Sequence, residues 1–176
     1  MDLLEAIANR HSYRGEFTDA PVSRDDLRTI AQAGLSAPSA CNGQVASLVV
    51  VDDVRLVREI AAIVDKSVCW TAKAMIVCVA DPRPVFADVS FAAEDCAAAV
   101  ENMLLAITSL GYASVWLDGV LRRENRAARI AQLLSIPDHL HVRVLLPIGV
   151  PVEPVSVVEK LAFDQRAWFN RYGGEG

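Results

Sequence analysis

The sequence DCAAAVENMLLAITSL occupies residues 95–110 and predicts a helix that is apolar on nearly every side. A surface helix keeps a polar face, so a helix of this kind belongs in a protein interior or a subunit interface. At about 1.5 Å of rise per residue, it would span roughly 24 Å. Gly111 follows at a position that suits the end of a helix. We therefore expect one central helix around which the other elements are arranged.

Shorter elements are predicted on both sides of this helix. Apolar or β-branched runs indicate buried strands at 48–51, 74–80, 113–117 and 142–148. Helices are predicted near the N-terminus, with Leu3, Leu4 and Ile7 on one face, from an N-cap at Ser23 to Leu35, at 56–64 and at 124–134. The pattern indicates a single α+β domain over residues 1–176.

The last segment of the chain is rich in aromatic residues. Pro151 and Pro154 prevent simple continuation of the last strand, and four large rings follow them: Phe163, Trp168, Phe169 and Tyr172. A free tail would not keep these rings in water, so we expect the segment to pack against a partner subunit.

Composition excludes several classes of protein. The net charge of −5 provides no broad basic field for nucleic acid or for an anionic membrane. Apolar residues make up 53% of the chain, but no uninterrupted run is long enough to span a bilayer, which favours a large subunit interface. The four cysteines show no paired spacing and the N-terminal residues do not resemble a signal peptide. We expect a cytoplasmic protein.

The segment RHSYR, residues 10–14, closes the first predicted helix and carries two guanidinium groups. Arginine offers forked donors that match phosphate oxygens, so Arg10, Ser12 and Arg14 could surround a phosphate. Taken alone, the segment has a simpler interpretation, in which Arg10 offsets the helix dipole and Arg14 is solvated.

The segment APSACNGQ, residues 37–44, is a loop of small residues with carboxamides at Asn42 and Gln44. Carboxamides combine donors and acceptors, which suits the edge of a flat heterocycle. A helix stop at Pro38 followed by an ordinary turn would also explain the loop.

At this separation, RHSYR and APSACNGQ resemble the paired N-terminal motifs of the FMN-dependent nitroreductase family. The resemblance continues through EDCAAAVENMLLAITSLGYASVWLDG (94–119), LLPIGVP (145–151) and EKLAFDQRAWFNRYG (159–173). It implies an α+β nitroreductase-like fold, with a central mixed sheet of about four to five strands surrounded by helices. It also implies a homodimer, with a C-terminal arm over residues 150–176 that reaches the partner subunit.

The resemblance further implies which residues bind the flavin. Arg10, His11, Ser12, Arg14 and Lys160 match the positions around the phosphate and ribityl chain. Pro38, Ser39, Asn42 and Gln44 match a loop that reaches the flavin of the other subunit or its substrate side. Trp116, Leu117, Asp118 and Gly119 match the segment along the isoalloxazine ring, with the Asp118 backbone N–H near N5. Ala162 stands where a further cation is expected.

The implied activity is transfer of hydride from NADH or NADPH, through bound FMN, to a small electron-poor acceptor such as a nitroaromatic, a quinone or a flavin. We expect no catalytic side chain, because the cofactor carries the chemistry and a backbone N–H can stabilise charge at N5. No GxGxxG motif follows a strand, and His139 and His141 lack a third ligand for a metal.

Other functions remain open at this point. A flavin-binding or flavin-free dimer with a sensing or scaffolding role is the main alternative, and the missing cation at Ala162 keeps it open. A specialised oxygen-dependent or dehalogenating flavoenzyme is a further possibility within the fold. Cys41 with His11 could form a thiol–imidazole pair if the fold brought them together.

Overall fold

The computed structural model describes residues 1–155 and 158–174, and within them it contains six α-helices and four strands. The helices are α1 (Leu3–Asn9), α2 (Arg24–Leu35), α3 (Val54–Val64), α4 (Ser67–Trp70), α5 (Ala92–Ser109) and α6 (Arg126–Leu133). The strands are β1 (Ala46–Val51), β2 (Ala74–Ala80), β3 (Ala113–Ser114) and β4 (His141–Gly149). Short 3₁₀ helices cover Ala40–Asn42 and Phe163–Gln165.

The four strands form one sheet in the order β1-β2-β4-β3. Val77 of β2 pairs with Val49 of β1 on one side and with Leu145 of β4 on the other. All three strand pairings are antiparallel, so the predicted mixed sheet is wrong for these strands. Among the described residues, parallel pairing occurs only in an isolated bridge between Ser12 and Ser114. The error has a physical cause: strands covered on both faces are apolar throughout, and their sequences do not reveal orientation.

Side chains of β2 alternate between two hydrophobic clusters on opposite faces of the sheet, as the period of a strand requires. Met75, Val77 and Val79 join the cluster that contains residues of α3 and α6, such as Ile60 and Ile130. Ile76 and Cys78 join the cluster that contains residues of α2 and α5. Every residue of β2 is buried, which makes it the centre of the sheet.

One face of helix α5 packs against the sheet, and other residues of the helix contact α2 and α1. Val100, Met103 and Ile107 are almost completely buried, whereas Glu101 and Ser109 are exposed. The predicted helix at 95–110 is confirmed and begins three residues earlier, at Ala92.

The local predictions succeed where periodicity is strong and fail for short elements. Ser23 caps α2 by accepting a hydrogen bond from the Asp26 N–H, as predicted. The strand predicted at 113–117 is reduced to Ala113–Ser114, because Leu117 pairs with Leu145 only as an isolated bridge. Helix α4 was not predicted, since its four residues give no periodic signal. No helix among the described residues is long and apolar enough to cross a membrane.

The C-terminal segment begins by pairing with residues 16–18. The Thr18 N–H donates to the Val150 carbonyl at 2.8 Å, and the Val152 N–H donates to the Glu16 carbonyl at 3.0 Å. A Cβ at Gly149 would lie 2.6 Å from the Phe17 ring, so this close approach requires glycine. Contact of the predicted arm with a partner subunit remains a prediction.

Candidate functional site

Residues 10–14 lie against strand β3. The Tyr13 N–H donates to the Ser114 carbonyl at 2.9 Å, and Ser12 forms its parallel bridge with Ser114. The chain that leaves Ser114 reaches Trp116 two residues later. The tertiary structure therefore joins the segment predicted to bind phosphate to the start of the segment predicted to follow the flavin ring.

The side chains of residues 10–14 differ in burial, and the buried one anchors the segment. Tyr13 is buried, and its hydroxyl donates to the Glu16 carbonyl and accepts from the Val152 N–H. Ser12 and Arg14, on either side of it, are exposed. The hydrogen bonds of Tyr13 hold the backbone of the segment in place, while the Ser12 hydroxyl and the Arg14 guanidinium remain at the surface.

Arg10 follows the last residue of α1 and is held by α5. Its guanidinium Nε lies 3.2 Å from a carboxylate oxygen of Glu101, and its side chain is 22% exposed. One donor of Arg10 is thus engaged, while the planar group carries further donors for a ligand. Glu101 orients the cation and also offsets part of its charge.

Buried polar atoms without partners mark the same junction. Among the described residues, three buried side-chain atoms make no hydrogen bond: His11 Nε2, Ser114 Oγ and Asp95 Oδ2. Leaving such an atom unpaired costs about 1–3 kcal/mol, and most buried polar groups have partners. Two of the three belong to the junction of residues 10–14 with β3. A polar ligand at this junction would supply the missing partners, so these residues fit a flavin phosphate and its hydroxylated chain.

Residues 116–119 offer a backbone donor. Leu117 exchanges two backbone hydrogen bonds with Leu145, at 3.1 and 2.9 Å, which orients the chain at the next residue. Within the described parts of the chain, the Asp118 N–H meets no acceptor. Its carboxylate accepts two hydrogen bonds of 2.7 Å from Arg122, and these lower the pKa of Asp118. The Asp118 carboxylate is thus engaged by Arg122, whereas its N–H, among the described residues, can still donate to a ligand.

The loop at 38–44 adopts an unusual backbone conformation. Cys41, Asn42 and Gln44 have φ values of 49°, 53° and 49°, in the left-handed region that non-glycine residues rarely adopt. Pro38, Asn42 and Gln44 are exposed. Pro38, Ser39 and Gln44 also line a cavity of about 190 Å³ together with Asp95.

Residues 10–14 and the loop at 38–44 are connected through helix α5. Within residues 1–155 and 158–174, no hydrogen bond or ion pair joins them. Both are tied to α5, because Glu101 holds Arg10 and Asp95 accepts from the Ala40 N–H at 3.0 Å. These two acidic residues were not predicted to belong to the site, although carboxylates in an otherwise apolar helix are a signal that the sequence carries.

Lys160 is exposed, and no hydrogen bond or ion pair with the rest of the described chain places it near Arg10 or Arg14. Its part in a phosphate site therefore stays a prediction. In the described part of the chain, no three His, Cys, Asp or Glu side chains lie close enough together to hold a metal ion.

The chain matches known proteins over almost its whole length. The model of the nitroreductase family matches residues 7–69 and 66–150. A protein of Archaeoglobus fulgidus named NADH dehydrogenase/NAD(P)H nitroreductase is 36% identical over 159 residues, which is 90% of each chain. The NADPH-flavin oxidoreductase of Vibrio harveyi is 29% identical, over 90% of this chain and 69% of its own.

Solved structures agree with this fold. The NADPH:FMN oxidoreductase of Vibrio harveyi, complexed with NAD⁺, superposes with a TM-score of 0.82 at 27% identity, covering 99% of this chain and 79% of its own. A Desulfovibrio desulfuricans protein described as a nitroreductase, in complex with FMN, gives 0.80 at 28% identity and covers 94% and 95%. The family match, which extends over most of the residues, and the arrangement of residues 10–14 against β3 lead to one conclusion: the chain belongs to the nitroreductase family.

Proposed function

We propose that this chain is an FMN-dependent oxidoreductase that takes hydride from NADH or NADPH and reduces a small electron-poor acceptor, such as a nitroaromatic, a quinone or a flavin. The observation that carries the proposal is the junction of the two-arginine segment with β3, because the chain runs from β3 to the Asp118 N–H, which has no acceptor among the described residues. FMN and NAD⁺ in the structures of related proteins support the choice of cofactor and hydride donor.

Residues 10–14 hold the phosphate end of the cofactor in this proposal. Arg14 is exposed and Arg10 is oriented by Glu101, so both guanidinium groups can donate to phosphate oxygens. Ser12 and His11 complete the set with a hydroxyl and an imidazole nitrogen. Lys160 would add a third cation from the C-terminal segment.

Residues 116–119 orient the ring. FMN, when bound, supplies the hydride-transfer chemistry, so the protein needs no acid–base pair. The Asp118 N–H would donate to the ring edge near N5, where a preorganised donor stabilises developing charge. Trp116 and Leu117 are half-buried and provide an apolar wall beside it.

A homodimer completes the site in this proposal. Leu3, Leu4 and Ile7 form an exposed apolar face on α1, with 65%, 75% and 50% of their surface accessible. Phe169 and Tyr172 are similarly exposed near the C-terminus. Apolar surface of this extent is typical of an interface. Pro38, Ser39, Asn42 and Gln44 would then reach the flavin held by the partner subunit.

Anaerobic reduction of the FMN-loaded protein tests the proposal. We expect NADH or NADPH to bleach the yellow flavin absorbance, and a nitroaromatic or quinone to restore it. A yellow protein that neither nucleotide bleaches would contradict the proposed hydride donor and favour a sensor or a specialised flavoenzyme. A colourless protein that does not bind added FMN would contradict the cofactor and favour a scaffold, the role that Ala162 left open.

A further inference from the structure

Asp95 is a buried carboxylate that no part of the proposed chemistry uses. It lies in the first turn of α5 and is only 6% exposed. One carboxylate oxygen accepts the Ala40 N–H at 3.0 Å, and the other is buried and, among the described residues, has no partner. The positive end of the helix dipole favours a negative charge at this position.

The hydrogen bond of Asp95 joins parts of the chain that are 55 residues apart. An acidic residue that serves only its own helix bonds to the N–H groups of the first turn. Within the described residues, the carboxylate of Asp95 accepts no hydrogen bond from α5. The hydrogen bond that this carboxylate accepts comes from the loop at 38–44 and not from α5.

The loop needs an external anchor because of its backbone conformation. Three non-glycine residues in the left-handed region persist only where the surroundings hold them there. Two further contacts help: Ser39 Oγ accepts the Gln44 N–H at 3.1 Å, and Arg83 donates to the Gly43 carbonyl at 2.7 Å. These two hydrogen bonds are exposed to solvent. The hydrogen bond between Ala40 and Asp95 is partly buried, so water competes with it less.

We propose that Asp95 is a positioning residue, which holds the loop at 38–44 in the conformation that presents its exposed side chains to the flavin. The part of this inference that concerns the flavin rests on the proposed function. The part that concerns the loop conformation does not, and it can be measured without a cofactor.

Two substitutions remove the same hydrogen bond from opposite ends. Asp95→Ala removes the acceptor, and Ala40→Pro removes the donor while leaving Asp95 intact. Proline is tolerated at position 40, because Ala40 begins a short helix and Ser39 is extended, with φ −133° and ψ 150°. Asp95→Asn keeps an oxygen acceptor and serves as the conservative variant. Ile107→Ala, which creates a cavity farther along the same helix, is the control for lost stability.

Amide hydrogen exchange of the protein without added FMN is the first measurement. The Gly43 N–H donates to the Ala40 carbonyl at 2.8 Å and reports on the loop. We expect its exchange to be about tenfold faster or more in Asp95→Ala and in Ala40→Pro, since one charge-assisted bond is lost. The double variant should be no faster than either single variant, because both remove one interaction. Asp95→Asn should stay within about threefold of the wild type.

FMN affinity is the second measurement. We expect Asp95→Ala and Ala40→Pro to bind FMN about tenfold more weakly or worse, with Asp95→Asn and Ile107→Ala close to the wild type. Unchanged loop exchange in the Ala40→Pro variant would overturn the positioning role even if Asp95→Ala does not fold. If Ile107→Ala lost as much FMN affinity as Asp95→Ala, the loss would result from lower stability and not from the loop, and the positioning role would be overturned. Failure of the wild type to bind FMN would reject the proposed function and leave the exchange data to decide the role of Asp95.

Discussion

Replacing Arg10 and Arg14 together by alanine should remove the specific recognition of the FMN phosphate. The double substitution deletes both guanidinium groups from the segment that lies against β3. Tyr13 remains in place and continues to anchor the segment through its hydroxyl. We therefore expect the backbone near Ser12 to keep its position while its positive charge is lost.

The two arginines should contribute unequally to FMN affinity. Arg14 is exposed, and within the described residues it forms no ion pair, so its full donor set can serve a ligand. Arg10 already shares its charge with Glu101 at 3.2 Å and should contribute less. A hydrogen bond to a charged group contributes about 1.5–3 kcal/mol, so the pair should contribute about 3 kcal/mol or more, or roughly a hundredfold in FMN affinity.

Titration with FMN and with riboflavin separates the phosphate from the rest of the flavin. Riboflavin has the ring and the ribityl chain but no phosphate. We expect the wild type to bind FMN much more tightly than riboflavin, and the double variant to bind the two flavins almost equally. The preference of the wild type should fall as salt is added, because screening weakens contacts between exposed charges.

Arg28→Ala is the matched control, since Arg28 is exposed on α2 and pairs with Asp25 at 3.7 Å. It changes the net charge by one unit but leaves residues 10–14 intact. The assignment of the phosphate site is refuted if the double variant still prefers FMN to riboflavin as strongly as the wild type does. It is also refuted if Arg28→Ala reduces that preference to the same extent as the double variant.

Four further predictions follow from burial and charge. Arg122→Met should raise the pKa of Asp118, because the guanidinium group now lowers it. The variant should lose stability in urea at about pH 7, and its difference from the wild type should shrink only as the pH falls below about 4, through the lowered pKa of Asp118 in the folded protein. A thiol reagent should label only Cys41 rapidly in the native protein, and all four cysteines after unfolding, since the other three are buried. Ile107→Ala should lower the free energy of unfolding by about 2–5 kcal/mol in urea titrations; a loss well under 1 kcal/mol would contradict its place in the core. Leu4→Asp should shift sedimentation towards the monomer, and an unchanged dimer would remove α1 from the proposed interface.

Local periodicity accounts for the elements that were predicted well. Strand β2 has the predicted bounds, Ala74–Ala80, because a continuous apolar run ends at the Asp81-Pro82 turn. The Ser23 cap and the central helix α5 follow from residues a few positions apart. The family motifs similarly pointed to the residues of the candidate site, but not to the groups that hold them in place.

The amino-acid sequence by itself determined the positions of the longer elements, the bounds of β2, the apolar character of α5 and the chemical types available at residues 10–14 and 38–44. Only the tertiary structure decided that the sheet is antiparallel, that Ser12 lies against Ser114, and that Glu101 and Asp95 hold the two polar segments from one helix. The physical reason is one of range. Helix and strand propensities depend on neighbours within one or two turns, whereas contacts such as that between Ala40 and Asp95 exist only after packing brings distant segments together.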